Sequence, residues 1–405
     1  MRPARSPRLA RPCRLLAPAA ALAVALPVSL TAPSPPPSPS LSPSPSLSPS
    51  PSLSPSETRA LGAVLDRAVR EGSPGAVAQI WRPGHVTTLY RGFADLRTRE
   101  RPGADTHFRI GSTTKTFVAT VILQLVAEGR LRLTDTVDRW LPGLVTGNGN
   151  DGRAITIRML LNHTSGLFNY TKDARMLQRF ERHPLTTFTL QELVRNYAVS
   201  HPPVFRPGTS WEYCNTNYVL LGMIIKRATG QSYADEINRR ILRPLRLNGT
   251  YLPGTSPDVR SPFMRGYSKN DAGRIEQVPG FNPSWAGPAG AAISTVADLN
   301  RFDSELLSGR LLPPALLREM LTPTPKSKLF SGKGPYRYGL GVILLDLPCG
   351  VTVYGHGGTI MGSLTWVAGT RDGRRTMSFN FNGDKVDQGK LTTAASTAAF
   401  CPGRR

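Results

Sequence analysis

Histidine and cysteine are scarce in this chain, six and four among 405 residues, and neither recurs at the spacing that holds a metal. There is no H-E-x-x-H segment, no paired C-x-x-C and no glycine-rich phosphate loop, so no metal ion, nucleotide or other cofactor is expected. Acidic residues are also few: 27 Asp and Glu stand against 50 Lys and Arg, a formal charge of +23. Aromatic residues make up only 7% and do not interleave with a basic stripe, which argues against a nucleic-acid partner. Of the basic residues, 41 are arginines scattered singly along the chain. That pattern fits either attraction to anionic polymers and membrane surfaces or an arginine-rich composition with no partner behind it. A long clean apolar run is missing too: Leu15–Leu30 contains Pro18 and Pro27 and is short for a bilayer span.

What is present begins at the N-terminus. Arg2, Arg5, Arg8, Arg11 and Arg14 precede the apolar run, and Thr31-Ala32 follows it. Residues 1–32 therefore read as a secretory signal, and the expected location is extracellular, with cell-wall or membrane association as the alternative. Residues 33–56 form a Ser/Pro/Leu tract with a repeated SPSPSL unit, an extended spacer rather than a folded element. Past it the pattern is globular from Glu57 to Cys401. Export favours a disulfide; Cys349–Cys401 would staple the tail to a strand, with Cys214 left over.

The fold class expected is α+β. Residues 57–70 read as a helix, Gly75–Trp81 and Val86–Gly92 as paired strands. Helical patterns at 154–161, 189–199 and 216–229 fill the middle. Strands return at Gly339–Leu347, Val351–Tyr354, Ser363–Gly369 and Thr376–Asn382, and a helix over 387–399 closes the chain. Strands at both ends imply one antiparallel sheet flanked by helices, built from 57–110 and 286–401, with 111–285 as a helical insertion lobe. A site would fall in the cleft between the two.

Three elements carry chemistry. In FRIGSTTKTFVATVILQLVAEGRL, Ser112 precedes Lys115 by three residues at a helix start, so the amine reaches the hydroxyl on one helix face. The positive end of the helix dipole favours an alkoxide and disfavours a lysine cation there, which suits nucleophilic catalysis. In SWEYCNTNY, Tyr213 at a helix entry facing a cation can shuttle a proton, and Asn215 offers a donor and an acceptor to a substrate amide. Cys214 between them is expected to point into packing. In VYGHGGTIM, Gly357 and Gly358 follow His356 on a sheet edge, leaving room for a substrate backbone. The N–H of Thr359, with that of Ser112, could form an oxyanion hole.

These elements, S-x-x-K, Y-x-N and H-x-G in this order, resemble the penicillin-recognising serine hydrolases: class C β-lactamases and secreted D-alanyl-D-alanine carboxypeptidases. FRIGSTTKTF, LLNHTSGL, NTNYVLLGMI, SWAGPAGAAIS, YGLGV and VYGHGGT extend the likeness from about Leu61 to the C-terminus. The resemblance implies a β-lactamase/transpeptidase-like fold, a monomer, and an acyl-enzyme formed on Ser112. Lys115 and Tyr213 would share the proton, Asn215 would hold the acyl amide, and His356 would tune Tyr213 electrostatically. Trp285 would wall the acyl pocket, and Cys349 and Cys401 would be paired. The substrate would be a small peptide, β-lactam or ester, with anionic cell-wall polymers as possible partners.

Two positions depart from the family pattern. Gly357 stands where carboxypeptidases carry a hydroxyl, and Ile343 where they carry an arginine; both missing groups bind a free carboxylate. Arg337 or Lys333 could compensate. The sequence thus leaves three readings: a carboxypeptidase-like peptidase, which is the main expectation; an esterase, amidase or D-aminopeptidase; and a non-catalytic wall-binding module.

Overall fold

A computed structural model describes residues 54–325, 327 and 335–401. The signal over 1–32, most of the spacer, and Lys333 lie outside the described residues. Helix α1 (Pro55–Glu71) starts on a reciprocal cap: the Ser54 hydroxyl accepts from the Glu57 N–H, and the Glu57 carboxylate accepts from the Ser54 N–H at 2.7 Å. Such a pair satisfies two of the orphan donors of a helix start, so the folded body begins slightly before the expected boundary at Glu57.

The strands are β1 (Gly75–Arg82), β2 (His85–Gly92), β3 (Tyr336–Tyr338), β4 (Ile343–Asp346), β5 (Thr352–Ile360), β6 (Ser363–Gly369) and β7 (Thr376–Phe381). They form one seven-stranded sheet in the order β2-β1-β7-β6-β5-β4-β3, antiparallel throughout. The N-terminal hairpin and the C-terminal strands therefore meet at the β1–β7 seam, as an α+β architecture with an inserted helical region requires. The strand expected over 339–347 is shorter, Ile343–Asp346, and a strand not expected from the sequence, β3, precedes it at Tyr336–Tyr338. Gly341 turns the chain between them at φ 78°, where an added Cβ would lie 2.4 Å from Ala119 Cβ. The strand expected over 351–354 runs on to Ile360, because β6 pairs with it residue by residue as far as Ile360↔Ser363.

Alternation of side chains splits the core in two. On one face, Ala76, Ala78, Leu364, Trp366, Phe379 and Phe381 pack with Leu61 and Leu65 of α1 and Leu391, Ala395 and Ala399 of α5 (Gln388–Phe400). The other face meets α4 (Val296–Leu307) and, beyond it, α2 (Thr114–Ala127), whose Phe117 stacks on Phe302 at 3.8 Å. Helix α3 (Asn215–Thr229) is buried along most of its length within the second core. The helix expected over 154–161 is shorter, Ile157–Leu161, because Thr156 caps it.

Cys349, in the turn after β4, is bonded to Cys401 at the end of α5, 52 residues apart in sequence. Cys214 is buried, and its thiol meets the Leu167 carbonyl at 3.2 Å. Replacing Cys349 and Cys401 by serine is expected to cost about 2–4 kcal/mol of stability, read as a lower denaturation midpoint under non-reducing conditions.

Candidate active site

Ser112 sits in a single tight turn, Gly111–Thr113, that leads into α2. Gly111 enters the turn at φ 49°, with its Cβ position 3.0 Å from the Thr359 backbone; glycine is the residue that tolerates both constraints. One turn on, the Lys115 side chain is fully buried. Its Nζ lies 3.0 Å from Ser112 Oγ, 2.8 Å from Asn215 Oδ1 and 2.6 Å from the Ala289 carbonyl oxygen. Burial drives the amine well below its ordinary pKa, because the charged form loses most on leaving water. The partners fit a neutral amine. With the amine neutral, Asn215 Oδ1 and the Ala289 carbonyl suffice for its two N–H bonds, and the Ser112 hydroxyl is the neighbour left for its lone pair.

Tyr213 and Asn215 arrive from the entry to α3. Asn215 Nδ2 donates to Thr171 Oγ1 at 3.2 Å, and its backbone N–H to Asn169 Oδ1 at 3.2 Å. The Tyr213 ring lies 4.8 Å beneath Lys115 Nζ. Its hydroxyl is buried, faces Ser112 and makes no closed hydrogen bond. Burial raises the phenol above its usual range, against which the Ser112 hydroxyl works. Tyr213 is thus a neutral phenol at rest, with a proton to pass on.

His356 lies on β5. Its ring is buried, its Nε2 lies 3.0 Å from Tyr338 Oη, and its Nδ1 lies 2.5 Å from the Gly357 carbonyl oxygen. Burial first, and then Lys115, lower its pKa to about 3. The imidazole is uncharged at neutral pH, hydrogen-bonds Tyr338, and has its ring centre 6.4 Å from that of Tyr213. A buried partner not expected from the sequence, His163, packs against Tyr213 with ring centres 4.3 Å apart and planes tilted by 39°, and accepts from Cys214 N–H at 3.2 Å.

Beyond Gly355 the side of β5 facing β4 is unpaired, since β4 registers only with residues 352–355; this free half lies against the Ser112 turn. Gly358 serves the chain's own backbone rather than a substrate's: an added Cβ would lie 1.9 Å from the Ile110 carbonyl oxygen and 2.8 Å from Ser112 N. Two cavities meet at Ser112 and Thr359. One, of about 230 Å³, runs past Asn215, Tyr170 and Trp285; the Trp285 carbonyl accepts from Tyr170 Oη at 2.6 Å. The other, of about 350 Å³, is walled by Trp211, Tyr336, Ile343, Trp366, Gln388 and Thr392. Among the described residues lining this second cavity, none is lysine or arginine. Arg337 is paired with Asp346 and does not line it.

Residues 61–399 match the family model described as beta-lactamase. The solved structure of a D-stereospecific amidohydrolase from Streptomyces sp. is 43% identical, with a TM-score of 0.78 over 85% of this chain and 99% of that one. A penicillin-binding protein of Bacillus subtilis is 29% identical over 303 residues, 72% of this chain and 64% of that protein. Esterase EstB of Burkholderia gladioli is 36% identical over 208 residues, 49% of this chain and 52% of the esterase. The chain thus spans less than two thirds of the length of either curated relative.

Proposed function

We propose a leaving-group preference for this chain, which belongs to the beta-lactamase family and is a serine hydrolase: it cleaves amides and esters, of D-aminoacyl type, whose leaving group carries no carboxylate. The observation that carries this is the uncharged second cavity, in which Ile343 and Gly357 stand where a carboxylate anchor was expected. The likeness to a D-stereospecific amidohydrolase supports the same choice over the carboxypeptidase reading.

In this reading Ser112 Oγ attacks the substrate carbonyl carbon while its proton passes to the neutral Lys115 amine. The N–H groups of Ser112 and Thr359 hold the oxyanion, and Asn215 holds the acyl side. Tyr213 passes its hydroxyl proton to the departing nitrogen or oxygen and regains one from Lys115. The carbon–heteroatom bond breaks, leaving an ester on Ser112. Water then attacks that ester by the same proton path in reverse. The N-terminal basic-then-apolar pattern and the Cys349–Cys401 bond support action outside the cytoplasm. Mass spectrometry of the mature N-terminus checks that placement.

A substrate panel tests the preference. D-Phenylalanine amide and a D-phenylalanyl ester are expected to show kcat/KM at least tenfold above an acylated D-Ala-D-Ala peptide, all turnover being lost in Ser112→Ala. In Ile343→Arg, turnover of the carboxylate-ended peptide is expected to rise about tenfold, since a charge-assisted hydrogen bond is worth roughly 1.5–3 kcal/mol. A wild-type enzyme that prefers the carboxylate-ended peptide sinks the reading.

A further inference from the structure

The missing side chain at position 357 does more than remove a hydroxyl. Gly357 registers opposite Trp366 on β6, and an added Cβ would lie 3.2 Å from Trp366 Cε3 and 3.5 Å from Gln388 Nε2. One methyl already narrows this passage, and the γ atoms of serine or threonine would occupy it. Behind it the indole of Trp366, the Ile343 side chain and the Tyr336 ring form a wall from three strands. Gln388 and Thr392, four residues apart on α5, form the opposite wall, as residues on one helix face do. Gln388 is held in place at the mouth: its Oε1 accepts from Thr359 Oγ1 at 3.0 Å.

The cavity is aromatic without being purely apolar. The indole nitrogens of Trp211 and Trp366 and the Thr392 hydroxyl are buried with no hydrogen-bond partner in the protein. These atoms are buried away from the open space; the donor beside the entrance is Gln388 Nε2, 3.5 Å from the Cβ position of Gly357, which favours an occupant that brings a neutral acceptor atom. At about 350 Å³ the space is at the small end of ligand pockets, room for one ring-bearing residue.

We infer that Gly357 opens the leaving-group side of the site into this chamber, which takes a bulky, uncharged amine component: an aromatic or large aliphatic residue with a carbonyl acceptor and no free carboxylate. Gly357 is the residue that sets the permitted size. This deepens the proposed preference and rests on it.

The test holds the acyl group and the amine chemistry constant. D-Phenylalanyl-glycinamide and D-phenylalanyl-phenylalaninamide differ only in the side chain offered to the chamber. The wild-type enzyme is expected to favour the second at least tenfold in kcat/KM. Gly357→Thr, which blocks the entrance, and Thr392→Trp, which fills the chamber from α5, are each expected to bring that ratio near one. Labelling of Ser112 by a fluorophosphonate, with circular dichroism, verifies that each variant is folded. A wild-type ratio near one, or a ratio that survives both substitutions, overturns the inference alone. A wild-type enzyme that turns over D-phenylalanine amide but neither of these compounds also overturns the inference alone; one that turns over none of the three overturns the proposed preference, and the inference with it.

Discussion

Lys115→Met and Ser112→Ala are each expected to lower kcat/KM by about a thousandfold or more, and the double variant no further than the worse of the two. The two groups act as one unit, because the 3.0 Å contact between Lys115 Nζ and Ser112 Oγ is the route by which the nucleophile loses its proton. Removing either end disables the same step, so the losses do not add. The pH dependence of acylation carries the sign. Burial lowers the Lys115 pKa far below that of an exposed lysine, so the reactive amine is lost as pH falls through that lowered value and is fully present above it. The acylation rate should therefore rise with pH through one ionisation well below 10 and then level off. His356 does not contribute this limb above acid pH, its pKa being pushed down to about 3. Lys115→Arg should be inactive at every pH, since a guanidinium does not deprotonate in proteins. Stopped-flow acylation of wild-type enzyme from pH 4 to about 11 makes the measurement. A limb at ordinary lysine pH, or an active Lys115→Arg enzyme, would falsify the neutral-lysine mechanism.

The parts of the site legible in the sequence are those set by short spacing. Ser112 and Lys115 share a helix face at three residues, Tyr213 and Asn215 flank a helix entry, and Gly357-Gly358 mark a close approach. Six of the seven strands were legible as hairpin and strand patterns at the two ends of the chain; the short edge strand Tyr336–Tyr338 was not. Other features depend on contacts distant in sequence. The Ala289 carbonyl reaches Lys115 across 174 residues, and no backbone oxygen announces itself in a sequence. His163 lies in the recognisable LLNHTSGL stretch, yet its seat under Tyr213 follows from packing between a loop and α3. The protonation state of His356 is likewise not legible from residue type, because it follows from complete burial, which leaves a neutral ring. The apolar run Gly339–Leu347 looks like one strand because hydrophobicity does not report φ, and the turn at Gly341 does.

Gly358→Ala is expected to lower kcat by about a hundredfold or more, with a smaller change in KM. The added methyl carbon would fall 1.9 Å from the Ile110 carbonyl oxygen and 2.8 Å from Ser112 N. Neither neighbour is a flexible side-chain end; both belong to the backbone that sets the Ser112 turn. Relief requires β5 and that turn to separate by about 1–1.5 Å to restore an ordinary carbon–oxygen contact. Thr359 lies on the strand that moves and Ser112 on the turn, so the two N–H groups would no longer converge on one oxygen. Oxyanion donors act within a narrow range, and losing one costs about 10²–10³ in kcat. Ground-state binding, spread over both cavities, depends less on that spacing. Gly280→Ala is the control, since its nearest contact would be Pro257 Cβ at an ordinary 3.8 Å; it should leave kcat within twofold. If Gly358→Ala also keeps kcat within threefold, the oxyanion is not held between Ser112 and Thr359.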